Sequence, residues 1–258
     1  MTQHVRILGS VAAAAVAAVV LATVHMQAQG QATPNARNDW PNPYKTIEGW
    51  AKMPAGRTWG STSSVDIDKD GTSVWVGERC GSNSCLTSTL DPVLKFDANG
   101  TLVKSFGAGL VIFPHGITVD RDGNVWIVDG NDNAPRAPRA ATPAPGAAPA
   151  PLPMAPPPGA TKGHQVFKFS PDGKVLLTLG APGGAGAPDY FFQPNDVLVA
   201  PNGDIFVGEG HGGGNSRMLK FDRTGRLICA TRRRSTSRPS CTTCPISPVI
   251  RYMPAARP

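Results

Sequence analysis

The sequence predicts an all-β fold, a β-propeller of four-stranded blades, and three observations carry that prediction. A hairpin unit occurs three times, a second hairpin follows each copy, and the second hairpins share one interval from phenylalanine to turn glycine (Phe96 to Gly100, Phe169 to Gly173, Phe221 to Gly225). Two hairpins make four strands, and repeated four-stranded units bury their faces against neighbouring copies around a central channel.

The first unit reads SSVDIDKDGTSVWVGE (63–78), HGITVDRDGNVWIVDG (115–130) and NDVLVAPNGDIFVGEG (195–210). Each copy alternates apolar and polar residues, turns on Asp-Gly or Asn-Gly, and continues with aromatic and β-branched residues, the pattern of a half-buried hairpin. The second unit reads PVLKFDANGTLVKSFG (92–107), HQVFKFSPDGKVLLTLG (164–180) and SRMLKFDRTGRLICA (216–230). About three blades are expected over residues 59–230, after an N-terminal extension at 31–58.

Between the hairpins of the middle copy, residues 131–162 are rich in proline and alanine. Proline removes backbone donors and alanine adds little buried area, so a disordered insertion within the blade is expected there. The interval from Gly123 to Gly173 exceeds that from Gly203 to Gly225 by about the length of this segment, which places it inside a blade rather than between domains.

The chain begins with one arginine and an apolar run from Ile7 to Val24, followed by small and polar residues. Residues 1–30 are expected to be a secretory signal peptide, with an uncleaved N-terminal anchor as the alternative. Either sends the rest out of the cytoplasm, to a periplasmic or secreted location, with no membrane contact beyond that segment. The formal net charge is +7, and seven arginines (Arg226, Arg232, Arg233, Arg234, Arg238, Arg251, Arg257) lie beyond residue 225 with no acid among them. The excess thus belongs to the tail, and nucleic acid is not expected as a partner of an exported body with balanced charge.

The repeat pattern stops after Leu227 and Ile228, inside a copy. Residues 231–258 are expected to be a basic disordered tail, produced by a reading-frame shift or natural in origin. Three blades fall short of the four to eight that close a ring, so a truncated propeller is expected. Of the five cysteines, Cys80 and Cys85 in ERCGSNSC are close enough to form a loop disulfide in an oxidising compartment. Cys241 and Cys244 form a CxxC with no second pair, histidine pair or βαβ pattern, and no metal or redox role is expected there.

FPHGITVDRDGNVWIVDG followed by HQVFKF, with FQPNDVLVAPNGDIFVGEG and NSRMLKF, resembles the NHL-repeat propellers and, within them, peptidyl-α-hydroxyglycine α-amidating lyase. The resemblance runs from about Trp59 to Ile228. It implies a six-bladed parent whose zinc ion is held at the channel mouth by three histidines from different blades. His115 matches the first of these ligands, and Asn195 at the equivalent place in the third copy is not a substitute. It further implies a structural calcium held partly by the backbone carbonyls of Val65 and Ile117.

Arg79 matches a catalytic arginine of that family, which a guanidinium at the channel mouth suits by binding a carboxylate or stabilising an alkoxide. Anchoring of the Cys80–Cys85 loop is the other role open to it. His211 stands where the family has a catalytic tyrosine, and either serves as acid or base in its place or is a surface histidine.

Two functional classes follow. One is zinc-assisted cleavage of a peptidyl-α-hydroxyglycine to peptide amide and glyoxylate, expected to be absent from a chain lacking two of the three zinc ligands. The other is a non-catalytic propeller that binds a peptide, glycan or protein partner. A peptide or small-molecule ligand is expected in either case, and the oligomeric state is left open.

Overall fold

A computed structural model describes residues 41–135, 156–184, 191–211 and 217–232. The expected signal segment, residues 31–40, the centre of the Pro/Ala-rich segment, Cys241, Cys244 and the tail beyond Arg232 lie outside them. Residues 41–48 belong to an N-terminal unit of their own, in which Asn42 Oδ1 accepts the Tyr44 backbone N–H (3.0 Å).

From Gly49 onward the described residues are all-β and form three antiparallel four-stranded sheets, the blades of a β-propeller. Blade 1 comprises β1 (Thr62–Ile67), β2 (Val74–Glu78), β3 (Val93–Phe96) and β4 (Leu102–Phe106). Blade 2 comprises β5 (Pro114–Val119), β6 (Val125–Asp132), β7 (Gly163–Phe169) and β8 (Val175–Leu179). Blade 3 comprises β9 (Pro194–Val199), β10 (Ile205–Glu209), β11 (Arg217–Phe221) and β12 (Leu227–Arg232). Strands neighbour in chain order within each blade, and the first strands β1, β5 and β9 pack side by side as the inner wall.

The turns explain the repeated glycine. Gly71, Gly123 and Gly203 donate their N–H groups to the carbonyls of Asp68, Asp120 and Ala200 (2.9, 2.8 and 2.8 Å). Their φ values of 75°, 89° and 88° lie in the left-handed region, where a β-carbon is penalised. Asp-Gly and Asn-Gly therefore meet a backbone requirement at each hairpin.

The core sits between blades. Trp75, Val93 and Phe106 of blade 1 pack with Ile117, Ile127, Phe167 and Phe169 of blade 2. Trp126, Val128, Val166 and Leu179 of blade 2 pack in turn with Val197, Val207, Leu219 and Phe221 of blade 3. The remaining face of blade 1, Val76, Leu94 and Phe96, is covered by Trp50, Ala51 and Met53. Lys52 also bridges to Thr101, so the last part of the expected extension is built into the propeller, whose boundary falls at Gly49 rather than at residue 59.

Two further boundaries differ from expectation. β12 continues through Thr231 and Arg232, with Arg217 opposite Arg232, because backbone pairing needs no apolar alternation. Both ends of the expected insertion are ordered: β6 runs through Asn131 and Asp132, and Asn133 closes a neck. Its Oδ1 accepts the N–H groups of Thr161 and Lys162 (2.7 and 2.9 Å), and its Nδ2 donates to Thr161 Oγ1 (2.8 Å).

Candidate functional site

His115 is the second residue of β5 and lies beside β9 of the next blade. Its Nδ1 is 2.9 Å from the Asn195 backbone oxygen. A carbonyl only accepts, so this contact places the proton on Nδ1 and leaves the Nε2 lone pair facing outward. Two glycines permit the arrangement. A β-carbon at Gly116 would fall 2.6 Å from the Asn195 oxygen, and one at Gly130 would fall 3.1 Å from His115 Cβ. The Pro-His-Gly element is therefore a close approach of two strands with an imidazole at its edge.

His211 follows β10 after Gly210 and is exposed. Its Nδ1 lies 3.3 Å from His115 Nε2, and the two rings meet edge-on at 76° with centroids 4.9 Å apart. Two histidines separated by 96 positions thus converge across blades 2 and 3. Burial lowers the His115 pKa, the Asn195 carbonyl opposes that shift, the His211 and Arg79 charges reinforce it, and Asp196 opposes it. Asp196 has its own pKa raised, by burial first; its hydrogen bond from Val197 N–H and the nearby His115 charge offset part of this, and Asp66 adds to it.

Arg79 directly follows β2. Its guanidinium lies 3.6 Å over the Phe113 ring, Nε donates to the Pro114 oxygen (3.0 Å), and Nη1 donates to Asn83 Oδ1 (2.6 Å). Ser63 Oγ donates to the same Pro114 oxygen (2.7 Å), so two groups of blade 1 hold the residue that precedes His115. Burial lowers the Arg79 pKa. Cys80 and Cys85 are disulfide-bonded with Cα atoms 5.2 Å apart, and Asn83 lies in the loop they close. Arg79 thus braces that loop, and its charge reaches His115.

Val65 and Ile117 occupy matching places on the adjacent inner strands, opposite Val76 and Ile127. Asp66 crosses between these blades, its Oδ2 accepting the Val119 N–H (2.7 Å). Among the described residues no group of three or more His, Cys, Asp or Glu side chains is placed to hold a metal ion.

Sequence reasoning missed the part played by Asn195, which acts through its backbone, and the acids that close each blade. Glu78 accepts from Gly60 N and Gly81 N, Asp129 from Ile112 N and Phe113 N, and Glu209 from Phe192 N. The signal was present in the repeat: all three stand at the same place in VWVGE, VWIVD and IFVGE.

Stacked four-stranded blades, with these side chains gathered where the inner strands begin, define an NHL-type β-propeller. The chain resembles the peptidyl-α-hydroxyglycine α-amidating lyases. It is 34% identical over 134 residues to peptidyl-alpha-hydroxyglycine alpha-amidating lyase 1 of Drosophila melanogaster, covering 51% of this chain and 19% of that protein. It is 34% identical over 131 residues to the probable peptidyl-alpha-hydroxyglycine alpha-amidating lyase pgal-1 of Caenorhabditis elegans, covering 49% and 27%. It is 27% identical over 191 residues to human NHL repeat-containing protein 3, covering 72% and 45%. The chain matches about a fifth to under half of the length of these relatives. No family model matches it.

Proposed function

We propose that this propeller recognises peptides ending in α-hydroxyglycine, at the corner formed by Arg79 and the His115–His211 pair. The observation that carries the proposal is the placement of Arg79, whose guanidinium is held against Phe113 and coupled electrostatically to His115. A planar guanidinium fixed in this way suits a terminal carboxylate, which it binds through paired N–H donors. The His115–His211 pair, with its nitrogens 3.3 Å apart, is then the group that hydrogen-bonds the substrate hydroxyl.

The complete lyase reaction breaks the carbinolamine N–C bond to give an amide and glyoxylate. A catalytic zinc has three protein ligands. Of the five histidines of the chain, His115 and His211 meet, His164 is buried beside Asp132, and His4 and His25 precede the propeller. A three-histidine shell is thus not assembled among the described residues, and no step of the proposal passes through zinc. The function proposed for this chain is recognition without turnover. A calcium ion bound by the Val65 and Ile117 carbonyls belongs to the same proposal, supported by their matching positions on adjacent inner strands. So does an exported location, which the Cys80–Cys85 disulfide supports.

Calorimetric titration with an α-hydroxyglycine-ended peptide, beside the corresponding amide, tests the proposal when glyoxylate is assayed in parallel. Saturable binding of the first peptide, at least about tenfold tighter than the amide, and no glyoxylate are expected. Equal or absent binding of the two overturns the recognition, and glyoxylate release overturns the absence of turnover.

A further inference from the structure

Blade 3 presents an apolar face that no further blade among the described residues covers. Val197, Val207 and Leu219 pack toward blade 2, so Leu198, Phe206, Met218 and Lys220 point the opposite way by the alternation of a strand. Leu198 is 60% and Met218 40% exposed, and the Lys220 ammonium lies 5.6 Å from the Phe206 ring centre. Cys229 belongs to this face. It stands opposite Lys220, which stands opposite Phe206, which stands opposite Leu198, and directly opposed residues of antiparallel strands share a face.

Cys229 is disulfide-bonded. The chain has five cysteines, and Cys80 and Cys85 are bonded to each other, so Cys241 and Cys244 are the partners left to it. We propose that a bond from Cys229 to Cys241 or Cys244 seats residues 245–250 on the open face of blade 3, as a cap formed by the chain itself. The inference does not rest on the recognition of α-hydroxyglycine peptides.

Length permits the cap. β12 carries the chain about 10 Å from Cys229 to Arg232. Eight residues separate Arg232 from Cys241, enough at about 3.3–3.6 Å each to cover that distance more than twice. Composition selects the occupant. Residues 233–240 carry Arg233, Arg234 and Arg238 and suit water, whereas residues 245–250, PISPVI, are uncharged and supply Ile246, Val249 and Ile250 for burial against Leu198 and Phe206. Asp204 already pairs with Lys220 (2.7 Å), so the face asks no charge of its cover.

The first blade uses the same device. Trp50, Ala51 and Met53, from a segment outside the blade strands, cover Val76, Leu94 and Phe96, and Trp50 Nε1 donates to the Ala98 oxygen (3.1 Å). Forming the Cys229 bond takes two protons and two electrons from two thiols, and a disulfide-class oxidant accepts them and leaves as a pair of thiols.

The test combines non-reducing peptide mapping of the whole chain with hydroxyl-radical footprinting of the parent and two variants. Cys241→Ser with Cys244→Ser removes the tether, and Val249→Asp with Ile250→Asp keeps the tether and spoils the cover. All four substitutions lie beyond β12, so the blades keep their core, which circular dichroism verifies. Mapping should join Cys229 to Cys241 or Cys244 within a monomer. Labelling of Leu198 and Phe206 should rise at least about threefold in both variants, because an untethered or charged segment occupies the face less. Trp59, on the first blade's side, should label equally in all three proteins. An unpaired Cys229, a Cys229 bonded to a second copy, or unchanged labelling in either folded variant each overturns the cap. Protection that grows with protein concentration, together with a dimer mass, assigns the face to a second copy and overturns it as well.

Discussion

Asp120 and Trp126 are joined by a 3.0 Å hydrogen bond from the indole N–H to the carboxylate, and Lys168 completes the group at 3.2 Å from the same oxygen. Asp68, Trp75 and Lys95 repeat it in blade 1. In blade 3 both partners change together. Ala200 removes the acceptor, Phe206 removes the N–H, and Lys220 pairs with Asp204 instead (2.7 Å).

The blade 3 solution should therefore work in blade 2 only as a set. Asp120→Ala leaves a buried indole N–H without its acceptor and should cost about 1–3 kcal/mol. Adding Trp126→Phe should cost less than the separate effects combined, and adding Asn124→Asp should return part of the loss by giving Lys168 a partner. Urea denaturation of the single, double and triple variants measures this, and purely additive costs would show that the residues do not act as a unit.

Asp129 predicts a pH dependence. Burial pushes its pKa up to about 7, against the hydrogen bonds from Ile112 and Phe113 and the attraction of Lys162. Its folded value lies above its unfolded value, so the folded state retains this proton to higher pH. The associated stability is full below the ordinary aspartate range and is lost as pH rises through about 7. Melting measured from pH 4 to 8 should show the parent losing stability relative to Asp129→Asn, by an amount on the order of a few kcal/mol. A pH-independent difference between the two proteins would remove Asp129 from the account.

Arg79→Lys separates bracing from recognition. Lysine keeps the charge but cannot lie flat on Phe113 while donating to both the Pro114 oxygen and Asn83. Loss of about 1–2 kcal/mol of stability is expected, together with at least about tenfold weaker binding of the α-hydroxyglycine peptide. Weaker stability with undiminished peptide binding would leave Arg79 as a brace alone.

The Cys80–Cys85 bond closes a loop with a sequence separation of 5. A loop this short restricts the unfolded chain modestly, so the Cys80→Ser, Cys85→Ser double variant should lose about 2 kcal/mol. The variant should remain folded, and chemical denaturation gives the difference. Complete unfolding would mean that the loop organises far more of blade 1 than its length implies.

The hairpins were legible because each is written locally, in a turn glycine and a two-residue alternation. The Asp-Trp-Lys groups were half legible, since their members recur at fixed repeat positions but their contacts need the pleat. The meeting of His115 with His211 was not legible. It depends on how far blade 3 rotates about blade 2, which is set by Trp126, Phe191 and Phe221 in the core and not by any motif. The support from Asn195 was hidden for another reason: a backbone carbonyl has no sequence signature. The boundaries at Gly49 and Arg232 fall outside the hairpin repeat: β12 extends through backbone pairing, and Trp50, Ala51 and Met53 cover blade 1 from a segment that carries no hairpin pattern.

The Asn133 clasp joins residues 28 positions apart, so blade 2 sees two fixed ends whatever lies between them. Once ends are pinned, each doubling of a flexible connection costs only about 0.6 kcal/mol. Changes of length between those ends are therefore expected to cost folding little. The same tolerance makes the clasp a natural grafting socket, where a reporter domain or an affinity tag can be spliced into the chain while β6 and β7 keep their register.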